Sequence, residues 1–352
     1  MKIKLALLEE DPVYLQRIVS AFQAKYADKI EVYSFTDMSM AISTLHTARI
    51  DVFIVSDLFE IDLSQIPKRC GFAYFVSSPD IDTRNGQRAI CKFQKIDLIY
   101  KQILCIFAEN SGNISGLKLG EDNAKVIAFA SPCGGVGTSS VAAACAVRFA
   151  AQGKKTLYLN LEKLGASDLF FSAEGQFDMS DIVYALKSKK TNMSLKLESC
   201  VKQDRCGVYF YSQPQIALDM MELDNEDIIR LLSELKLTGS YNYIIVDMDF
   251  ALSRDTLKQM SAMDTVVMIS DGTLLANSKV TRAFNAFAIL DENADRPIMS
   301  KIELAYNKYS NKTGKLIEGT GVKEIGGAPR FEHATTEQVI KGLSEMLFFD
   351  KI

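Results

Sequence analysis

The chain has 352 residues, 48% hydrophobic and 24% charged, enough to bury a sizeable core and to divide into two domains. A formal net charge of −4 argues against charge-driven nucleic-acid binding, and with His46 and His333 as the only histidines a histidine-rich metal centre or a serine–histidine hydrolase is excluded. Seven cysteines without CxxC spacing fit free thiols of a reducing compartment, and with no signal-like start or apolar stretch of membrane-spanning length the expected location is the cytoplasm.

Residues 3–8 read as a strand ending in Glu9, Glu10 and Asp11, after which Pro12 opens an amphipathic helix carrying Leu15, Ile18 and Phe22. Strands over 30–35, 52–55 and 72–76, with a helix over 38–46, predict a parallel sheet with helices on both faces. The third strand runs into Ser56 and Asp57, the fourth into Ser77 and Ser78, and Lys95 precedes a last helix. These polar residues fall at C-terminal strand ends, where open α/β sheets keep their sites. Residues 79–86 are polar and turn-like, so a helix between the fourth and fifth strands is hard to place. The first domain is thus 1–110, followed by a linker over 111–124 rich in Gly, Ser, Asn and charge.

The second domain, 125–352, opens with an apolar run over 126–129 suited to an interior parallel strand, and a helix of small apolar residues covers 141–149. Between them lies SPCGGVGTSS. Its glycines can take backbone angles that side chains forbid, letting several N–H groups converge on an anion at a helix N-terminus. Set against the pattern GxxxxGK[ST], Thr138 stands in the lysine's place and Pro132 in that of the first glycine, leaving Ser139 as the magnesium-ligand candidate. A strand over 156–159 ends at Asn160, Leu161 and Glu162. Another over 241–246 ends in Asp247, the kind of strand-end aspartate that holds magnesium in P-loop proteins, with Asp249 two residues on. Strands over 266–269 and 302–306 follow, the latter ending in Asn307 and Lys308; Asn307 either pairs with an adenine edge or simply opens a turn. Near the C-terminus Val339, Ile340, Leu343, Met346 and Leu347 form an apolar stripe, and with few basic residues beside it, packing on the sheet is expected over membrane contact.

The first constellation resembles a response-regulator receiver domain, which is flavodoxin-like. That resemblance implies Asp57 as phosphoacceptor, Glu9 and Glu10 as metal-binding acids where receivers usually carry aspartates, Ser77 or Ser78 as the switch hydroxyl, and Lys95 as the lysine facing the phosphoryl group. The second domain resembles the deviant P-loop ATPases of the MinD and ParA superfamily: CGGVGTS stands for KGGxGK[ST], and GKKTLYLNLE, YNYIIVD, YNK and IGGAPRFEHATT extend the likeness. It implies ATP held by Cys133, Gly134, Gly135, Val136, Gly137, Thr138, Ser139 and Ser140, with Asn307, Lys308 and Pro329 near the base and Mg2+ at Ser139 and Asp247. The expected fold is therefore α/β, two doubly wound parallel-sheet domains, a receiver followed by a MinD/ParA-like P-loop NTPase.

Together the two domains resemble the CpaE and TadZ family of pilus-assembly proteins. The resemblance implies an ATP-binding scaffold of Tad (Flp-type) pilus assembly that forms a homodimer around ATP–Mg2+, sits at a cell pole through partners such as a secretion ATPase, binds no nucleic acid directly and meets the membrane at most indirectly. Cys133 replaces the superfamily's signature lysine, Thr138 the loop lysine and Asn160 an aspartate of active relatives, so hydrolysis is expected to be weak or absent; Asn160, Glu162 and Asp247 are the candidate catalytic residues. The alternatives are an active ParA/MinD-type ATPase for positioning or partition, and a response regulator driven by phosphorylation of Asp57.

Overall fold

The strands of the first sheet are short apolar runs because both faces are covered. Leu5, Ala6, Leu7 and Leu8 of β1 (Ile3–Leu8) are fully buried. Asp11 then caps α1 (Pro12–Tyr26), its Oδ1 accepting from the Val13 and Tyr14 N–H groups, with Pro12 at the first turn. β2 (Ile30–Phe35), α2 (Met38–Thr47), β3 (Val52–Ser56) and β4 (Gly71–Val76) follow. No α-helix crosses from β3 to β4; a 3-10 turn at Leu63–Gln65 lies there instead. After β4 the polar stretch forms a hairpin, β5 (Thr83–Arg84) antiparallel to β6 (Gln87–Cys91), and then α3 (Ile96–Asn110). The strand order is β2-β1-β3-β4-β6-β5, parallel except at that hairpin, so β1 and β3 sit side by side at the switch point.

The computed structural model describes residues 2–111, 124–188, 191–292 and 297–352, and most of the expected linker lies outside them. The described residues form two compact units, one within Met1–Gly116 and Ser188–Cys200, the other within Leu117–Lys187 and Val201–Ile352.

β7 (Lys125–Ala130), α4 (Thr138–Ala151), β8 (Thr156–Asn160) and α5 (Met179–Ser188) open the second unit. The next helix, α6 (Met193–Cys200), belongs to the first unit and packs on α3. Nine of the 15 residues of α3 are buried, more than one face against the sheet can account for, and α6 covers the remainder. The Lys196 ammonium, itself buried, lies 3.0 Å from Cys105 Sγ, and the Asn192 N–H donates to the Ala108 carbonyl at 3.0 Å.

Back in the second unit come β9 (Lys202–Gln203), β10 (Tyr209–Phe210), α7 (Asn225–Leu237), β11 (Tyr243–Asp247), α8 (Arg254–Ser261), β12 (Thr265–Ser270), α9 (Leu274–Asp291), β13 (Ile302–Tyr309), β14 (Lys323–Pro329) and α10 (Thr336–Ser344). They build one sheet in the order β14-β13-β12-β7-β11-β8-β10-β9, with only β9 antiparallel to its neighbour. β7 is central, with the strands that follow it first on one side and the later ones on the other, which makes its C-terminal end the switch point. The alanines of α4, Ala142, Ala143, Ala144 and Ala146, are fully buried between the sheet and α10, whose Ile340 and Leu343 point inward; Leu347, in the 3-10 turn that follows α10, is exposed. Among the described residues no helix is long and apolar enough to cross a membrane.

Candidate functional site

The glycine loop leaves β7 at the switch point. Gly135 (φ +80°) and Gly137 (φ +84°) take left-handed conformations, and Gly137 is the N-cap of α4 without a side-chain cap. The first N–H groups of a 14-residue helix are thus left without a capping side chain where an anion can use them. They face a cavity of about 490 Å³ lined by the loop together with Glu162, Met248, Asp249 and Lys308. Below it, the ends of β8 and β11 bring Asn160 and Asp247 side by side in register.

Asp247 is fully buried, and its Oδ2 accepts from the Tyr158 hydroxyl at 2.7 Å and from Asn160 Nδ2 at 3.3 Å. Burial, and then the charge of Glu162, push its carboxyl up to about 7. Asp247 Oδ1 has no hydrogen-bond partner. Glu162, raised first by its own burial, accepts from the Ser139 hydroxyl at 3.3 Å and from Asn160 Nδ2 at 3.2 Å. Asn160 is therefore a donor shared between two acids, and an aspartate there would add a third carboxylate within 3.3 Å of both. An orphaned carboxylate oxygen beside a hydroxyl at the foot of the glycine loop fits Mg2+ that keeps waters and phosphate oxygens as ligands. Among the described residues, no group of three His, Cys, Asp or Glu side chains forms a metal site of its own.

Asn307 and Lys308 reach the loop from β13. Asn307, 3% exposed, donates through Nδ2 to the Val136 carbonyl at 2.8 Å and so braces the loop from beneath, and Lys308 Nζ lies 2.7 Å from the Gly135 carbonyl. Pro329 is exposed at the end of β14, opposite Tyr309. Lys163 is turned elsewhere, its ammonium bonded to the Met220 and Leu223 carbonyls. A Cβ on Gly137 would come within 2.5 Å of Asn307 Nδ2 and would have to hold a positive φ. Gly137→Ala is accordingly expected to cost about 2 kcal/mol or more of stability and to lower nucleotide affinity, read by thermal melting and by equilibrium binding.

At the C-terminal edge of the first sheet, Glu9 is 1% exposed, and Lys92 Nζ stands 3.1 Å from its Oε1 and 2.9 Å from its Oε2. Only Oε1 is aligned for a hydrogen bond, so Oε2 has the charge contact alone. The ammonium also lies 5.7 Å from the centre of the Tyr14 ring, whose hydroxyl donates to the Lys92 carbonyl at 3.0 Å. Glu10 is exposed, Asp57 half-buried and Ser77 exposed. Lys95 is exposed at the N-cap of α3, and the lysine beside the buried acid is Lys92.

Residues 1–108 match the family model described as "TadZ-like, receiver domain". The chain carries a TadZ-like receiver domain. No curated protein matches the chain. Among solved structures, a ParA family ATPase from Chlorobium tepidum TLS superposes with a TM-score of 0.52 at 22% identity, over 65% of this chain and 98% of the other. The septum site-determining protein MinD with Mg-ADP from Pyrococcus horikoshii OT3 gives 0.48 at 16% identity, over 63% and 95%. The MinC:MinD cell division complex of Aquifex aeolicus gives 0.48 at 18%, over 62% and 86%. The second unit shares the fold of the ParA family ATPase, so the chain is α/β throughout, with two parallel-dominant sheets.

Within the TadZ-like receiver domain, Lys92 escaped the sequence reading because β6, QRAIC, is short and half polar and gives no periodic signal for where it ends. The only available cue was that Lys92 directly follows the apolar Ile90 and Cys91, whereas Lys95 is four residues past the strand.

Proposed function

We propose that the second unit binds ATP with Mg2+ at the glycine loop, dimerises in that state, and serves as a scaffold that positions the machinery of a Tad-type pilus while hydrolysing the nucleotide slowly or not at all. The observation that carries this reading is the uncapped N-terminus of α4 beneath two left-handed glycines, set over Ser139 and the orphaned Asp247 oxygen. The loop N–H groups grip the phosphates; Ser139 and Asp247 would hold the metal. Magnesium, when bound, supplies positive charge against the phosphate oxygens. Slow turnover follows from charge: Cys133 and Thr138 are neutral where two lysines stabilise the transition state in the ATPases that the loop resembles. The TadZ-like receiver domain supports the pilus assignment, and the Glu9–Lys92 pair favours that domain as a fixed binding module over a metal-dependent phosphoacceptor.

A titration of the purified protein with ATP and Mg2+, following bound nucleotide, oligomeric mass and released phosphate together, tests this. Saturable binding with a doubled mass and negligible phosphate is the expected result. Steady turnover would favour an active ATPase, and absence of binding would reduce the loop to a structural turn. Cys133→Lys with Thr138→Lys is expected to raise phosphate release at least about tenfold if missing charge is what limits turnover.

A further inference from the structure

We propose that Lys308, reaching over from β13, is the phosphate-facing cation that the glycine loop itself lacks. This rests on nucleotide binding at the loop and names the residue that supplies its charge.

Consecutive strand residues point to opposite faces of a sheet. Asn307 and Lys308 are consecutive, yet both end on the same loop, one on the Val136 carbonyl and the other on the Gly135 carbonyl. The cause is an extra residue in β13: Tyr306 pairs with Gly327 and Tyr309 with Pro329, so three steps on β13 match two on β14. Lys308 absorbs the bulge at φ +57°, a left-handed conformation that a glycine would take more easily and that is unfavourable for a lysine. A long charged side chain held where the backbone favours glycine points to a use for the side chain.

The cavity shows that use. Among the described residues lining it, Lys308 is the sole basic one, against Glu162 and Asp249. One of the three donors of its ammonium goes to Gly135, and no carboxylate pairs with it among the described residues. Its Cε and Nζ lie 3.4 and 3.7 Å from the position a Cβ on Gly137 would take, at the N-terminus of α4. Lys308 thus brings a positive charge to the helix end where phosphate oxygens are expected. The ligand class is a nucleoside polyphosphate: a ligand with two or three phosphates gains from this cation, and a nucleoside without phosphate gains nothing.

The test measures equilibrium binding of ATP–Mg2+, ADP–Mg2+ and adenosine to the full-length protein and its variants. Lys308→Met is expected to weaken ATP–Mg2+ binding by about ten- to a hundredfold, the effect of losing a charge-assisted hydrogen bond, and to leave adenosine binding unchanged. Lys308→Gly, which suits the left-handed backbone, should melt no lower than the wild type and lose the same affinity, so misfolding cannot imitate the result. Thr138→Lys added to Lys308→Met should restore binding, because it returns a cation to the same cavity. Unchanged ATP affinity in both single variants, or equal losses for ATP and adenosine, would overturn the role of Lys308 while leaving nucleotide binding in place. A wild type that binds no ATP would remove the underlying reading itself.

Discussion

Asp247→Asn is expected to raise the melting temperature of the nucleotide-free protein at pH 8 by about 5 °C or more, and to remove most of the further rise that ATP with Mg2+ gives the wild type. The first half follows from burial. A fully buried carboxyl with one orphaned oxygen, beside the Glu162 carboxylate, resists ionisation until about pH 7, whereas in the unfolded chain it ionises near its ordinary value of 3.8. The folded state therefore holds this proton more tightly. Stability is fully present below the unfolded value, falls as pH rises between the two and stays lowered above about 7, by ~4 kcal/mol at most. An amide keeps the acceptor for Tyr158 and carries no charge, so near pH 4.5 most of the difference between variant and wild type should vanish. The second half follows from function, since the amide is a poorer partner for a cation and its waters. Calorimetry at both pH values, with and without ATP and Mg2+, reads both halves. A variant that melts lower than the wild type at pH 8 would show that the charged carboxylate supports the fold, contrary to this account.

A truncated protein ending at residue 110 is expected to fail to form a cooperative monomer. It keeps every strand of the first sheet but lacks α6, whose buried Met193, Leu197 and Cys200 cover α3. Burial of three such side chains stabilises by on the order of 5 kcal/mol, comparable to the whole stability of a small domain. The Lys196 ammonium would also be lost from beside Cys105, at 3.0 Å, and Glu109, at 3.6 Å. Thiol labelling gives a direct readout: Cys105 is fully buried in the intact chain and should react in the truncated one. Extending the protein to residue 200, or adding a peptide of residues 191–200, should restore protection. Slow labelling and a sharp melt for residues 1–110 alone would mean that α3 tolerates exposure of its outer face.

What was legible in the sequence was whatever depends on short-range pattern. β1 and β7 are continuous apolar runs because both faces of their sheets are covered, and such runs mark themselves. The glycine loop and the aspartate closing β11 could be found because their chemistry needs particular residue types at fixed places. The expectation for residues 79–86 also matched in part, since a polar turn-like stretch became the β5–β6 hairpin. Less legible was whatever depends on geometry between distant segments. Asn307 could be read as a base contact or as a turn, and it braces the loop by a bond to Val136, 171 residues away in the chain. The bulge that turns Lys308 onto the loop is a register property that no single strand displays. Among the described residues of 161–240, β9 and β10 are two residues long each, too short to display any alternation. The membership of α6 had one sign, an α3 too apolar for one covered face, but nothing to say which later segment would cover it.

The Glu9–Lys92 pair also bears on what the first domain can register about its surroundings. A cation tethered by the chain acts at an effective concentration of the order of millimolar or above, and that concentration is the same in every cell at every moment. A free divalent ion seeking Glu9 must displace it, and a chelator has nothing to remove. The carboxylate of Glu9 is thus met by a cation of the chain itself as soon as the domain folds.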